Sequence, residues 1–272
     1  LYMDLDFHHQ HKLALRFMNQ YMSRRGDYAG LGMLCIYLVY RAMVRAKVNS
    51  IEAKQQAANP EVAADYLATT RRYLALARNY IESFASPVLI ILHGLSGSGK
   101  SWLAEQLLES YGAIQLRSDV ERKRLLGFEA EAKTKSAVGK GAYSADITRQ
   151  TYQRLLDLAG LIVQAGPAVI VDATFLKKSH RAEFKKLALS LNVPFVILDI
   201  EASEKVLRSR ISKRMKHDKD ASEATLAVLE QQIKSREPIE ADEAAATILV
   251  NTEQPLELDK LVQQIKNKTT VN

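Results

Sequence analysis

One cysteine, Cys35, stands in a chain of 272 residues. That excludes a disulfide framework and fits a reducing cytoplasm. No signal-peptide pattern opens the sequence. The longest uncharged apolar stretch, "YAGLGMLCIYLVY" from Tyr28 to Tyr40, is too short to span a bilayer and holds two glycines. Aromatic residues make up 7%, which leaves no obvious stacking platform for single-stranded nucleic acid. What remains is ordinary for a soluble protein, with 47% hydrophobic and 25% charged residues. The formal charge of +7 favours anionic partners, which nucleotides alone would satisfy. The chain opens on Leu1 rather than methionine, and we read it as a piece whose N-terminal part lies outside.

The length suits one large domain or two modest ones, and the pattern changes character near residue 86. Residues 1–85 carry helical signals only. "QHKLALRFMNQYMSRR" places Leu13, Phe17 and Tyr21 on one face and stops at Gly26. A second helix is expected from Tyr28 to Gln56. Asn59-Pro60, a cap followed by proline at the first helical position, opens a third to Phe84. Ser86-Pro87 then breaks the pattern. From there on, strands are expected at Val88–His93, Ala113–Leu116, Ala168–Asp172, Phe195–Ile200 and Thr247–Val250, with helices between them. The clearest helix is Ile147–Ala165, ended by Gly166-Pro167. Five apolar strands alternating with helices imply an α/β fold whose five-stranded parallel sheet is covered on both faces. Residues 86–272 would form this unit, preceded by the all-helical segment 1–85.

The first strand runs into "GLSGSGKS", residues Gly94, Leu95, Ser96, Gly97, Ser98, Gly99, Lys100 and Ser101, and Trp102 opens the next helix. This is the Walker A spacing of a P-loop in its strand–loop–helix context. Glycines let backbone N–H groups turn inward around phosphates, and the new helix aims its positive end at them. Lys100 would bridge β- and γ-phosphates, and the Ser101 hydroxyl would ligate Mg²⁺.

Polar residues follow several strands directly and should converge at the carboxyl ends of the sheet: His93-Gly94, Arg117-Ser118-Asp119, Asp172-Ala173-Thr174 and Asn251-Thr252. Asp119, in "LRSDVERKR", could accept a proton from a substrate hydroxyl; the blander reading makes it a helix cap. Arg117, Arg122 and Arg124 could meet an anionic substrate or form a solvated face. Asp172, in "VIVDATF", holds the Walker B position and would serve Mg²⁺ together with Ser101. It is followed by Ala173 and Thr174, where an ATPase that activates water would carry a glutamate. That favours a phosphotransferase. "LRSRISKRMKHDKDASEATL" reads as two helices with a charged turn, a lid over the phosphates in which Arg210 and Arg214 share a face. Asn251 could lie against the nucleotide base.

Together these motifs resemble the P-loop kinases that include zeta-toxin-like and polynucleotide-kinase-like ATP-binding domains, with a nucleoside- or shikimate-kinase-like fold. The resemblance covers residues 88–265. More narrowly, the chain is similar to the C-terminal half of bifunctional aminoglycoside phosphotransferase/ATP-binding proteins. There, "YMDLDF", "DYAGL" and "YLVYRAMVRAKV" correspond to the end of a protein-kinase-like lobe. The resemblance implies ATP and Mg²⁺ as cofactors and a missing upstream lobe. It also implies Asp119 as base and Arg210 and Arg214 as γ-phosphate stabilisers. His8, His9 and His11 lack acidic partners at ligand spacing and are not read as a metal site.

The expected function is Mg·ATP-dependent transfer of a phosphoryl group to a hydroxyl of a small-molecule or nucleotide-like acceptor. Two alternatives are an ATP-binding regulatory module for the upstream lobe and a kinase of nucleic-acid 5′-hydroxyls. No membrane partner is expected.

Overall fold

In the computed structural model, residues 1–129, 144–217 and 224–269 are described, without the side chains of 215–217. The expected start of a helix near Asp220 or Ser222, and most of the loop between Gly127 and Asp146, therefore lie outside the described residues.

Four helices come first: α1 (Tyr2–Phe7), α2 (His11–Arg25), α3 (Leu31–Gln55) and α4 (Pro60–Phe84). Their ends follow local chemistry. Gly26 closes α2 with φ of 70°, a left-handed geometry that glycine reaches without a Cβ clash. The Asn59 side chain accepts the Val62 N–H, with Pro60 opening α4, as the sequence indicated. A turn of 3-10 helix, Tyr28–Gly30, leads into α3.

One expectation for this segment, the shortness of its apolar run, is corrected, and the shared face of α2 is placed. The α2 face bearing Leu13, Phe17 and Tyr21 is exposed, while Ala14, Leu15, Met18, Asn19 and Met22 are buried. The buried face is selected by what α2 packs against, not by side-chain size. The apolar stretch from Tyr28 also continues further than its uncharged part. The helical run Tyr28–Gln55 is long and apolar enough to cross a membrane by length and composition, with a window of mean hydropathy 1.3. In this fold its other side, through Leu38, Ala42 and Ala46, packs with Tyr73, Ala77 and Tyr80 of α4 and with Met3 and Phe7 of α1.

The second part alternates β1 (Leu89–His93), α5 (Lys100–Tyr111), β2 (Ala113–Arg117), α6 (Ser118–Leu125) and α7 (Ala145–Gln164). There follow β3 (Ala168–Asp172), α8 (Lys178–Ser190), β4 (Phe195–Glu201), α9 (Glu204–His217), α10 (Leu226–Ser235), the short α11 (Ala241–Ala244), β5 (Thr247–Asn251) and α12 (Leu258–Thr269). The five strands form one sheet in the order β2-β3-β1-β4-β5, with every pairing parallel. The α/β fold expected from the sequence is thus present.

Strand periodicity divides the core. Leu89 and Ile91 face one side, with Leu155, Ala159, Ile162 and Phe184 from α7 and α8. Val88, Ile90 and Leu92 face the other, with Leu103 and Leu107 of α5 and Leu261 and Ile265 of α12. Each such fully buried aliphatic side chain contributes about 1.5–3 kcal/mol. The first of these layers also takes in Met18, Met22, Tyr28 and Leu31, so the helical segment shares the core of the sheet.

Candidate active site

The carboxyl ends of β1, β2 and β3 open into a cleft of about 420 Å³. Its walls include Ser96, Gly97, Gly99, Lys100, Ser101 and Trp102 from the first loop and helix. Arg117, Ser118 and Asp119 come from the end of β2, Asp172 and Thr174 from β3, and Arg210 and Arg214 from α9. Most residues singled out in the sequence are therefore brought together.

The loop needs its glycines for two reasons. Gly94, Gly97 and Gly99 take φ of 150°, 85° and 98°, where side chains are strained. A Cβ on Gly94 would also lie 2.5 Å from the Ile200 carbonyl, and one on Gly97 would lie 2.9 Å from the Leu207 carbonyl. The loop is thus pressed against β4 and α9. No side chain caps the first turn of α5 and no acidic residue stands in it, so its positive end is offered to an anion in the cleft.

Lys100 is buried, and its ammonium donates to the Gly94 carbonyl at 3.0 Å and the Leu95 carbonyl at 2.7 Å. Burial pushes its pKa down to about 8, an effect partly offset by the nearby Asp172 and Asp119 carboxylates. Asp172 is buried too, and burial raises its carboxyl above the usual range; Arg117, a Ser101 hydrogen bond and Lys100 act the other way. Ser101 and Asp172 thus present a hydroxyl and a carboxylate side by side. That hard-oxygen pair suits Mg²⁺, which takes one or two protein oxygens and fills its remaining positions with phosphate and water.

Asp119 does not cap α6: the N-cap is Arg117, with no side-chain bond. Asp119 lies in the first turn, and its Oδ1 accepts from Arg122 Nη1 at 2.8 Å. Opposite it, Tyr152 hydroxyl accepts the Phe175 N–H at 3.1 Å and lies 3.5 Å from Thr174 Oγ1. The Tyr152 ring stacks on His180 with centroids 3.8 Å apart, and burial lowers the His180 pKa. Phe175 itself has φ of 47°, a strained backbone for a bulky residue that turns the chain sharply after β3.

Some expected residues stand elsewhere. Arg210 reaches the cleft wall, but its Nη1 and Nη2 donate to Thr252 Oγ1 and O, both at 2.8 Å, and Nη1 also to the Gly97 and Ser98 carbonyls at 3.3 Å. It clasps the loop to the end of β5. Arg214 donates to the Ala224 carbonyl at 3.0 Å and is close enough to lower the Lys100 pKa. Asn251, Leu95 and Ser98 do not line the cleft; the Asn251 side chain accepts the Glu253 N–H at 2.9 Å. His93 is fully buried against Asp199, Nδ1 to Oδ1 at 2.6 Å, so it does not meet the other strand-end residues. Sequence reasoning missed Lys177, His180, Gln231, Gln232 and Ser235 in the lining. Gln232 accepts the Ser96 N–H at 2.8 Å, which joins α10 to the loop. A pair of glutamines on an amphipathic helix gives no sequence signal of that kind.

A family described as an AAA domain matches residues 89–239, more than half of the chain. The protein belongs to this AAA domain family. Proteins of Mycobacterium tuberculosis and Mycobacterium bovis, described as uncharacterized, are 32% identical to it over 229 residues. The match takes in 84% of this chain and 45% of theirs, so the chain spans less than half the length of these curated relatives. Among solved structures, a sugar kinase from Janibacter sp. is similar with a TM-score of 0.50 at 19% identity, over 66% of this chain and 93% of that one. Kti12 of Chaetomium thermophilum, solved with ADP-AlF3, gives 0.52 at 15% identity, over 67% and 100%. At such identities the likeness is one of fold.

Proposed function

We propose that this AAA domain is a P-loop kinase that transfers the γ-phosphoryl of ATP to a hydroxyl of a small-molecule or nucleotide-like acceptor. The observation that carries the reading is the meeting of Lys100, Ser101, Asp172 and Asp119 in one cleft, with no glutamate after Asp172. Loop N–H groups and Lys100 hold the phosphates. Ser101 and Asp172 would hold Mg²⁺, which when bound would supply neutralisation of the phosphate charge. Asp119, kept in place by Arg122, takes the proton of the acceptor hydroxyl as its oxygen attacks phosphorus and the bond to the leaving ADP oxygen breaks. Arg214 faces the charge that develops on the transferring group, while Arg210 keeps the loop seated. The side of the cleft formed by Tyr152, Thr174, Lys177 and His180 receives the acceptor.

Within the wider group we favour the zeta-toxin-like and polynucleotide-kinase-like kinases, on "GLSGSGKS", "LRSDVERKR" and "VIVDATF" in that order. We divide the chain into a helical segment, 1–85, and a kinase unit, 86–272, at the Ser86-Pro87 break. A second reading has one observation in its favour: the relatives are more than twice as long as the matched region. In it, the domain binds ATP as a regulatory module for an upstream phosphotransferase-like lobe.

The test follows label from [γ-³²P]ATP with Mg²⁺, in wild type and Asp119→Asn, using a pooled metabolite extract and oligonucleotides bearing a free 5′-hydroxyl as acceptors. Label entering an acceptor with wild type, and falling about 10²–10⁴-fold in Asp119→Asn at unchanged ATP affinity, is the expected result. Equal slow hydrolysis by both proteins with no labelled acceptor would favour the regulatory module. Label entering oligonucleotides alone would assign the nucleic-acid reading.

A further inference from the structure

Gln115 is out of place by composition. It stands at the centre of β2, in "AIQLR", buried between the apolar Ile114 and Leu116. A buried amide requires hydrogen-bond partners, and those of Gln115 lie on opposite sides of its strand. Its Nε2 donates to Asp172 Oδ2 at 3.1 Å. Its backbone N–H donates outward, to Asn19 Oδ1 of α2 at 2.8 Å. Asn19, itself buried, completes the clamp by donating Nδ2 to the Ala113 carbonyl at 3.0 Å.

The sheet register explains the reach. Gln115 lies opposite Ile170 and Arg117 opposite Asp172, so the Gln115 side chain leans forward along the strand to the carboxylate. Arg117 Nε is 3.9 Å from the same Oδ2. Two residues of β2 thus engage Oδ2, and the Gln115 hydrogen bond restricts the rotation of the carboxylate. A neutral amide suits this task, because it orients the carboxylate without adding a cation that competes with Mg²⁺.

We infer that Gln115 is a positioning residue for Asp172, and that the helical segment sets it through the Asn19 clamp on β2. The inference rests on the reading of Asp172 as a Mg²⁺ ligand. It gives α2 a role in metal binding from outside the AAA domain.

The test titrates Mg²⁺ into a fluorescent ADP analogue bound to the full chain, for wild type, Gln115→Met, Gln115→Leu, Asn19→Leu and the Asn19→Leu/Gln115→Met double variant. Binding of the same analogue in EDTA is measured in parallel. Removing an outer-shell partner of a metal ligand raises the half-saturating Mg²⁺ about tenfold in both Gln115 variants, with EDTA affinity unchanged. Gln115→Leu removes the same donor with a different apolar shape, so it preserves the test should Gln115→Met fold poorly. Asn19→Leu raises half-saturation about threefold, and the double variant shows no more than the Gln115→Met effect, as expected for residues acting in series. Unchanged Mg²⁺ dependence in the Gln115 variants overturns the inference. So does an equal loss of affinity with and without Mg²⁺, the mark of a merely structural role. Additive shifts in the double variant remove α2 from the relay. Wild type showing no Mg²⁺ dependence would instead overturn the reading of Asp172, and the inference with it.

Discussion

Arg181 and Glu243, 62 residues apart, meet as a two-pronged pair, Nε to Oε1 at 2.7 Å and Nη2 to Oε2 at 2.8 Å, with both side chains buried. The other guanidinium donors go to the carbonyls of Phe175, Glu237 and Pro238 at 3.0–3.2 Å. All five N–H groups of the arginine are thereby used. One side chain thus ties the strained turn after β3, which carries Thr174 into the cleft, to the segment between α10 and α11.

Arg181→Met leaves the Glu243 charge and three carbonyls buried without their partner. The expected loss is about 3–5 kcal/mol of unfolding free energy, read by urea denaturation. Arg181→Lys keeps the charge but not the fork, so its loss should lie between those of wild type and Arg181→Met. A Lys variant as stable as wild type would show that the carbonyl contacts contribute nothing.

The same pair sets an acid limit. Burial raises the Glu243 carboxyl, but the Arg181 hydrogen bond and charge and the Glu240 N–H outweigh it, and the net pKa falls below 4.5. A folded-state pKa below the unfolded value contributes stability that is fully present above about pH 4.5 and lost as pH falls through the folded value. Wild type and Glu243→Gln should therefore differ most in melting temperature at neutral pH. The gap should hold down to about pH 4.5 and close only below it. A gap that narrows between pH 7 and 5 would assign the effect to another group.

The two arginines of α9 should separate in kinetics. Arg210 clasps the loop, so Arg210→Ala weakens nucleotide binding about tenfold through loss of several hydrogen bonds. Arg214→Ala should lower kcat by about 10²–10³ with nucleotide affinity within about twofold, as for a group that acts on developing charge. Identical profiles for the two variants would put them in one role.

Much of this was legible before any coordinates. Strand limits fell within one residue because each strand is a short apolar run bounded by turn or polar residues, as at His93-Gly94 and Asp172-Ala173. The phosphate loop was legible because its glycines have a geometric reason that spacing alone reveals. What stayed hidden depends on contacts between distant segments. Nothing near Arg181 in "KSHRAEF" announces a partner at Glu243. The one-face stripe Leu13, Phe17 and Tyr21 did not reveal that α2 turns Met18, Asn19 and Met22 inward, because the burying surface comes from residues far along the chain. Gln115 did carry a signal, a lone amide inside an apolar strand, and its meaning appears only once Asp172 lies beside it.

The Asn19 clamp has a consequence for solubility as well. β2 is the outermost strand on its side of the sheet, and an unpaired strand edge is a template for other chains. Asn19 occupies the outward groups of Ala113 and Gln115, and α2 lies along the strand without offering a strand of its own to extend. A P-loop unit cut free at Ser86 would expose those groups together with the apolar surface that Met18, Met22, Tyr28 and Leu31 cover. The helical segment thus shields one edge of the sheet, along β2, from pairing with its own copies.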